Sequence, residues 1–199
     1  MKIIDIIFAL VCGKVVGFVV GDILKGFGVT LSLYEYIAVW LAFPLLALFG
    51  LWVCRLIGRK YLFVFQAGKH ALVGAFATVV DLKLFELLIW AAGFFFFLNP
   101  IIAKSISFIA STLIKYWGNK YWAFGKHEKE DIHKELISFF IITIIGLLLD
   151  VGAFWYLSKV VGVHFEVSTH TWTQLSVIFA AIVAALWNFV GYKFLVFKK

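Results

Sequence analysis

Lys115 and Asn119 lie at the end of a mostly apolar run, IIAKSISFIASTLIK, and Asn188 and Lys193 lie in a related closing stretch, ALWNFVGYKFLVFKK. An ammonium and an amide set among aromatic rings can hold an anion. The lysine supplies charge, the amide supplies neutral hydrogen bonds, and the rings stack on a sugar face or pack on a lipid chain. Charges inside such greasy runs cost about 2.5–3.5 kcal/mol each on membrane-insertion scales, so each asks for a partner or a use. Lys14, Asp81, Lys83, Glu86, Lys115 and Asp150 are in that position.

Helical spacing organises these residues into faces. Lys104, Ser107, Ser111, Lys115 and Asn119 follow steps of three or four and form one polar stripe. Gln174, Ala181, Ala185, Asn188 and Tyr192 form a softer face, while Gly74, Thr78 and Asp81 align, as do Thr143, Gly146 and Asp150. Four such stripes turned toward one another would enclose a polar path. Ser, Thr and Gly at this spacing also serve plain helix packing, which is the reading adopted for the Ser and Thr positions. The candidate substrate-binding set is Asp81, Lys115, Asn119, Lys120, Asp150, Asn188, Tyr192 and Lys193, with no catalytic residue and no metal ligand.

The elements that must position this set are membrane helices. Of 199 residues, 64% are hydrophobic and 15% charged, and mean hydropathy is +1.03. Soluble domains carry about 25% charged residues, and the apolar blocks here are about as long as the roughly 20 residues that span a bilayer. The expected fold is an all-α integral membrane protein with six transmembrane helices at 3–21, 36–55, 71–95, 100–122, 136–159 and 172–196. The first block lacks a small-x-small site and is read as a retained helix. Asn99-Pro100 starts the fourth helix, and Pro44 is expected to kink the second. Lys2, Arg55, Arg59, Lys60, Lys69, Lys120, Lys126, Lys129, Lys134, Lys193, Lys198 and Lys199 sort to one side, leaving Lys25, Lys104 and Lys159 on the other. The positive-inside rule then places both termini in the cytoplasm, with Lys120 and Lys193 at the headgroup level. The net charge of +7 follows from this topology and from anionic membrane lipids, with no nucleic-acid partner implied. Phe94 to Phe97 read as a bilayer anchor, and Lys14 is expected to meet a carboxylate or to snorkel.

The chain repeats itself. VGAFATVVDLKLFELL set over ITIIGLLLDVGAFWYL puts Asp81 on Asp150, an offset of 69; KYWGNKYWAF set over NFVGYKFLVF puts Lys115 on Asn188 and Lys120 on Lys193, an offset of 73. Each copy is a two-helix hairpin, so the copies share an orientation and are related by an axis along the membrane normal, as in parallel-repeat transporters. The repeat units are expected at about 66–126 and 134–199, preceded by an N-terminal transmembrane hairpin, 1–65. In that hairpin Gly13, Gly17 and Gly21 form a small-xxx-small series predicted to pack on a neighbouring helix.

These residues carry a family resemblance over about 66–199. The signature V-G-x-x-x-T-x-x-D, read here as Val73, Gly74, Thr78 and Asp81, and a closing Asn/Lys/aromatic pattern, read as Asn119, Lys120, Trp122 and Phe124 and again as Asn188, Phe189, Lys193 and Phe197, resemble the GtrA-like family of small membrane proteins. Lys115 stands where that pattern has Asn, and the hairpin 1–65 is an addition to the minimal family. The resemblance implies translocation of a polyprenyl-phosphate-linked sugar across the cytoplasmic membrane for cell-envelope polysaccharide or glycoconjugate synthesis, and association with a membrane glycosyltransferase.

Two other functions suit the same residues: a non-catalytic anchor for a polyprenyl-phosphate glycosyltransferase, and a small-solute transporter. An enzyme is not expected. The chain has no P-loop and no soluble domain for a nucleotide-sugar, and its histidines are read as loop residues, His127 and His133 without metal-ligand spacing. Cys12 and Cys54 read as small buried hydrophobes. No cofactor is implied. A homodimer would enlarge the small volume that four helices enclose.

Overall fold

A computed structural model describes residues 1–26, 29, 31–95, 99–127, 132–163 and 169–197, and among these every regular element is helical. Six α-helices follow one another: α1 (Ile3–Gly26), α2 (Leu33–Gly58), α3 (Leu62–Phe95), α4 (Pro100–Trp117), α5 (Ile132–Trp155) and α6 (Thr169–Gly191). Three of them run on into π-helical turns: α4 into Gly118–Ala123, α5 into Tyr156–Val161 and α6 into Tyr192–Val196. By length and composition, Ile3–Val20, Leu33–Gly58, Ile132–Val161 and Phe179–Val196 are each apolar enough to cross a membrane. These spans leave many large apolar side chains exposed, Leu45, Leu148 and Leu186 among them, which suit contact with lipid tails. The protein is therefore an all-α, multi-pass membrane protein. The side chains of Phe94, Phe95, Lys104 and Gln174, and residues Phe96, Phe97, Lys129, Lys198 and Lys199, lie outside what is described.

Helix starts follow local rules where the sequence supplies them. Ser32 caps α2 through a reciprocal capping box with Glu35, satisfying N-terminal N–H groups that have no helical partner. α2 continues through Pro44. The largest departure from the expected boundaries is α3, which begins at Leu62 rather than 71 and runs for 34 residues, about 51 Å at 1.5 Å per residue. Gln66, Gly68, Lys69 and His70 have the composition of a connection, yet they occupy helix interior, where Asp5 pairs with Lys69 and Asn119 with His70. Gly68 lets α2 approach closely, since a Cβ there would lie 2.9 Å from Cys54 Sγ.

Contacts divide the chain into two compact units, Met1–Gly125 and Lys126–Lys199. In the first, α1 packs on α2 and α3, and α3 packs on α4. Gly13 and Gly17 of the glycine series pack as the spacing predicts, and the surroundings of Gly21 lie outside what is described. A Cβ on Gly13 would fall 2.6 Å from Phe43 O and from Pro44 Cα, and one on Gly17 would fall 2.8 Å from Phe43 Cβ. Gly13→Leu and Gly17→Leu are expected to force α1 off α2, costing about 1–3 kcal/mol or more in thermal unfolding of the detergent-solubilised protein. Gly50→Leu is the control, because a Cβ at Gly50 meets nothing within 4 Å. Equal stability of all three variants would overturn the packing argument. Lys14 meets no carboxylate in the described structure; its Nζ sits 4.7 Å over the Trp40 ring, a cation–π contact that keeps the ammonium attracted without a counter-ion. Lys83 and Glu86 pair with each other at 2.9 Å, one turn apart.

The sequence repeat is visible as repeated contacts inside each unit. In the first, a Cβ on Gly118 would meet Val73 Cγ1 at 2.8 Å; at the matching position of the second, one on Gly191 would meet Ile142 Cγ2 at 2.6 Å. Phe124 N–H donates to Asn119 O, and Phe197 N–H donates to Tyr192 O, the i to i+5 bond of the π-turn in both copies. His70 and Phe124 ring centroids are 6.4 Å apart, and those of Phe139 and Phe197, their repeat mates, 6.1 Å apart.

Candidate functional site

The first unit gathers its polar groups around the α4 π-turn. An extra residue per turn rotates the helix end so that Asn119, Lys120, Trp122 and Ala123 all face inward. Asn119 is 0% exposed; its Oδ1 lies 2.8 Å from His70 Nδ1, and its Nδ2 donates to Lys115 O at 2.7 Å. Lys120 is 1% exposed, donates to the Tyr116 hydroxyl at 3.3 Å, and lies within 6 Å of the Tyr116 and Tyr121 ring centroids. Lys120, expected at the headgroup level, is buried within its unit. The π-turn carries the ammonium into the protein, where a hydroxyl and two ring faces replace water.

A second cluster adjoins it through Trp122. Asp5 of α1 is 2% exposed, and its Oδ1 receives Lys69 Nζ at 2.6 Å and Trp122 Nε1 at 2.9 Å. Asp5 Oδ2 accepts the Lys2 backbone N–H at 2.9 Å. Lys69 also lies 4.6 Å from the Phe65 ring centroid and 5.4 Å from that of Trp122. Sequence reasoning missed this cluster twice. Asp5 is a carboxylate in the first apolar run and Lys69 reads from the sequence only as a positive flank, and the two pair. His70 likewise reads as a loop residue, but it lies within α3, buried against Asn119. The available signal was the acid at the head of α1, which had to find a cation somewhere.

Asp81 lies elsewhere on α3, half-buried, and accepts a hydrogen bond from Ser107 Oγ at 2.7 Å. Ser107, Ser111 and Asn119 are all buried, so α4 turns its polar stripe inward as the spacing requires, with Lys115 half-buried in the same row. Two helical turns, about 11 Å, separate Ser107 from Lys115 along that row.

In the second unit the corresponding polar groups are sparser. Tyr192, the repeat mate of Asn119, is 0% exposed; its ring stacks on Phe139 at 4.2 Å and its hydroxyl is 2.6 Å from Thr143 Oγ1. The polar His70–Asn119 contact of one copy is thus a Phe139–Tyr192 stack in the other. Lys193 is half-buried, with Nζ 5.7 Å from the Phe189 ring centroid and 5.4 Å from that of Phe194. Asn188 is 8% exposed and packs against Gly146, where an added Cβ would fall 2.9 Å from its Cγ. Among the described residues no donor reaches Asn188 Oδ1. Asp150 is half-buried on α5, one turn beyond Gly146. Glu135 at the start of α5 is buried and pairs with Lys126 at 2.5 Å.

The candidate set therefore splits between the units. Asn119 and Lys120 share a π-turn, while Asp81 sits further along α3; Asn188, Tyr192 and Lys193 share the end of α6, while Asp150 lies on α5. Both copies set a lysine over aromatic rings at a π-turn. Such a group can receive an anion without first shedding much water, because the rings already stand in place of a hydration shell. No group of three or more His, Cys, Asp or Glu side chains suited to a metal occurs among the described residues, and Cys12 and Cys54 are free thiols.

Comparison with known proteins places these elements in context. Residues 69–197 match the family described as "GtrA/DPMS, transmembrane domain". The chain is similar to the cell wall teichoic acid glycosylation protein GtcA of Listeria monocytogenes, 26% identical over 131 residues, which is 65% of this chain and 82% of that protein. It is also similar to the uncharacterized membrane protein YwcD of Bacillus subtilis, 29% identical over 132 residues, 65% of this chain and 94% of the relative. No solved structure matches the chain. The matched family segment begins at Lys69, so α1 and α2 lie outside it.

Proposed function

Because the chain belongs to the GtrA/DPMS transmembrane-domain family, we propose that it carries a polyprenyl-phosphate-linked sugar across the cytoplasmic membrane for glycosylation of a cell-envelope polymer. The observation that carries this reading is the paired π-turn. Each repeat ends its second helix by setting a lysine, Lys120 or Lys193, against aromatic rings at the end of an apolar span. A cation for a phosphate, rings for a sugar face and apolar helices for an isoprenoid tail are the three chemistries such a lipid needs in one place. The name of the Listeria relative, a teichoic acid glycosylation protein, supports the same biological direction.

In this reading Lys115, Lys120 and Lys193 contact the phosphate in turn. Asn119, Asn188 and Tyr192 offer hydrogen bonds to sugar hydroxyls, and Asp81 and Asp150 balance lysine charge when no substrate is bound. The Asn188 carbonyl, which has no donor among the described residues, supports this assignment, since a buried acceptor in an apolar setting costs about 1–3 kcal/mol until a donor arrives. Both termini lie in the cytoplasm by the lysine and arginine asymmetry. The transport is passive or exchange-driven and makes no covalent bond.

Reconstitution of the purified protein into vesicles holding a labelled polyprenyl-phosphate sugar tests this. Movement of label between leaflets with no other protein present is expected. Movement only when a membrane glycosyltransferase is added would replace the proposal with the anchor reading, in which the same site holds the lipid for a partner.

A further inference from the structure

A groove of about 340 Å³ opens on the side of the first unit between α1, α3 and the α4 π-turn. Phe8 and Val11 of α1, Phe76 of α3, and Trp117, Tyr121 and Trp122 line it almost wholly with apolar atoms. Phe8, Val11, Trp117 and Tyr121 are exposed, and Phe8 and Val11 fall within the membrane-crossing part of α1, so the groove faces lipid tails. Its inner wall is Trp122, whose ring stacks on Phe8 at 4.9 Å while its Nε1 donates to Asp5. One residue thus joins an apolar slot to a cluster of anion-binding donors. The Asp5 carboxylate held there receives an ammonium, an indole N–H and a backbone N–H.

We propose that this groove binds the head-proximal isoprene units of the lipid-linked substrate, and that the lipid phosphate exchanges with Asp5 for Lys69 and Trp122. The inference rests on the function proposed above and adds a site to it, one wall of which comes from α1, outside the matched family segment. Charge complementarity selects the occupant. A carboxylate already satisfies the three donors, so the ligand that replaces it is an anion, and the slot beside it takes hydrocarbon. At roughly 30 Å³ per water-sized group the groove holds on the order of ten such groups, about two isoprene units. That is enough for the tail next to a phosphate but not for a whole phospholipid chain. The role of the N-terminal hairpin is then to clasp the substrate tail and to supply the anion that keeps Lys69 paired while the site waits.

Binding of farnesyl phosphate to the full chain in detergent, followed by tryptophan fluorescence, tests the site, with inorganic phosphate and a saturated-chain phosphatidylglycerol as comparison probes. Farnesyl phosphate is expected to bind, and both comparison probes to bind at least about tenfold more weakly. Val11→Trp, a change at the exposed mouth of the groove, should weaken farnesyl phosphate binding about tenfold. Asp5→Asn, which keeps an acceptor for Trp122 but removes the competing charge, should tighten it. Equal binding by wild type and Val11→Trp, unchanged or weaker binding by Asp5→Asn, or phosphatidylglycerol binding as tight as farnesyl phosphate would each overturn the proposal. Failure of the underlying function is separable. If wild type moves no lipid-linked sugar in vesicles, the transport reading falls whatever farnesyl phosphate does. If it moves the lipid and Val11→Trp moves it equally well with unchanged binding, only the groove assignment falls.

Discussion

Lys69→Ala lowers the stability of the purified protein by about 3 kcal/mol, near the bottom of the 3–5 kcal/mol range for breaking one side of a buried ion pair. The Asp5 carboxylate is 2% exposed, so removing its ammonium partner strands a charge that water cannot reach. The Trp122 and Lys2 N–H donors remain and hold the loss to the lower end. Thermal unfolding in detergent measures this, with a fall in midpoint on the order of 10 °C for a chain of this size. The double variant Asp5→Leu with Lys69→Met is expected to recover most of the loss, because replacing both charges with apolar groups of similar volume removes the desolvation cost along with the attraction. A single variant as stable as the double would show that the pair is not sealed from water and would sink the argument. The consequence is architectural. The pair ties α1, outside the matched family segment, to the first residue of that segment, so the hairpin is fastened to the family core through charge as well as through the Gly13 and Gly17 contacts.

On the transport proposed above, Lys115→Ala is expected to reduce movement of the lipid-linked sugar in vesicles by about tenfold to a hundredfold while leaving a folded protein. The magnitude follows from losing one charged hydrogen bond, worth about 1.5–3 kcal/mol, at about 1.4 kcal/mol per factor of ten. Lys115 is half-buried on the inward row of α4 that also holds Ser107, Ser111 and Asn119, and its repeat mate is Asn188, whose carbonyl has no donor among the described residues. The repeat thus places a charged residue in one copy and a neutral amide in the other. The Lys115 backbone carbonyl accepts from Asn119 Nδ2, and alanine keeps that contact. Lys115→Asn, which makes the copies alike, should retain more transport than Lys115→Ala. Undiminished transport by Lys115→Ala, measured at matched protein-to-lipid ratios, would remove Lys115 from the site.

Hydropathy alone determined that this is an all-α membrane protein. A bilayer leaves no backbone group unsatisfied, so long apolar runs have one structural solution, and their number, order and approximate ends follow from length. The repeat was legible too, because matching contacts need matching residues: Gly118 on Val73 and Gly191 on Ile142 recur at the offsets read from the residues themselves. The inward stripe of α4 was equally legible, since period 3.6 fixes which residues share a face. Tertiary structure decided what no period contains. Lys69 and His70 have the composition of a loop yet lie within helix, where Asp5, 64 residues before Lys69, and Asn119, 49 residues after His70, are their partners. Lys120 reads from the sequence as a basic flank, and the π-turn that begins at Gly118 leaves it buried within its unit. A charge in sequence announces only that it needs a partner; which partner it finds is settled by elements far apart in the chain that come together only when the helices pack.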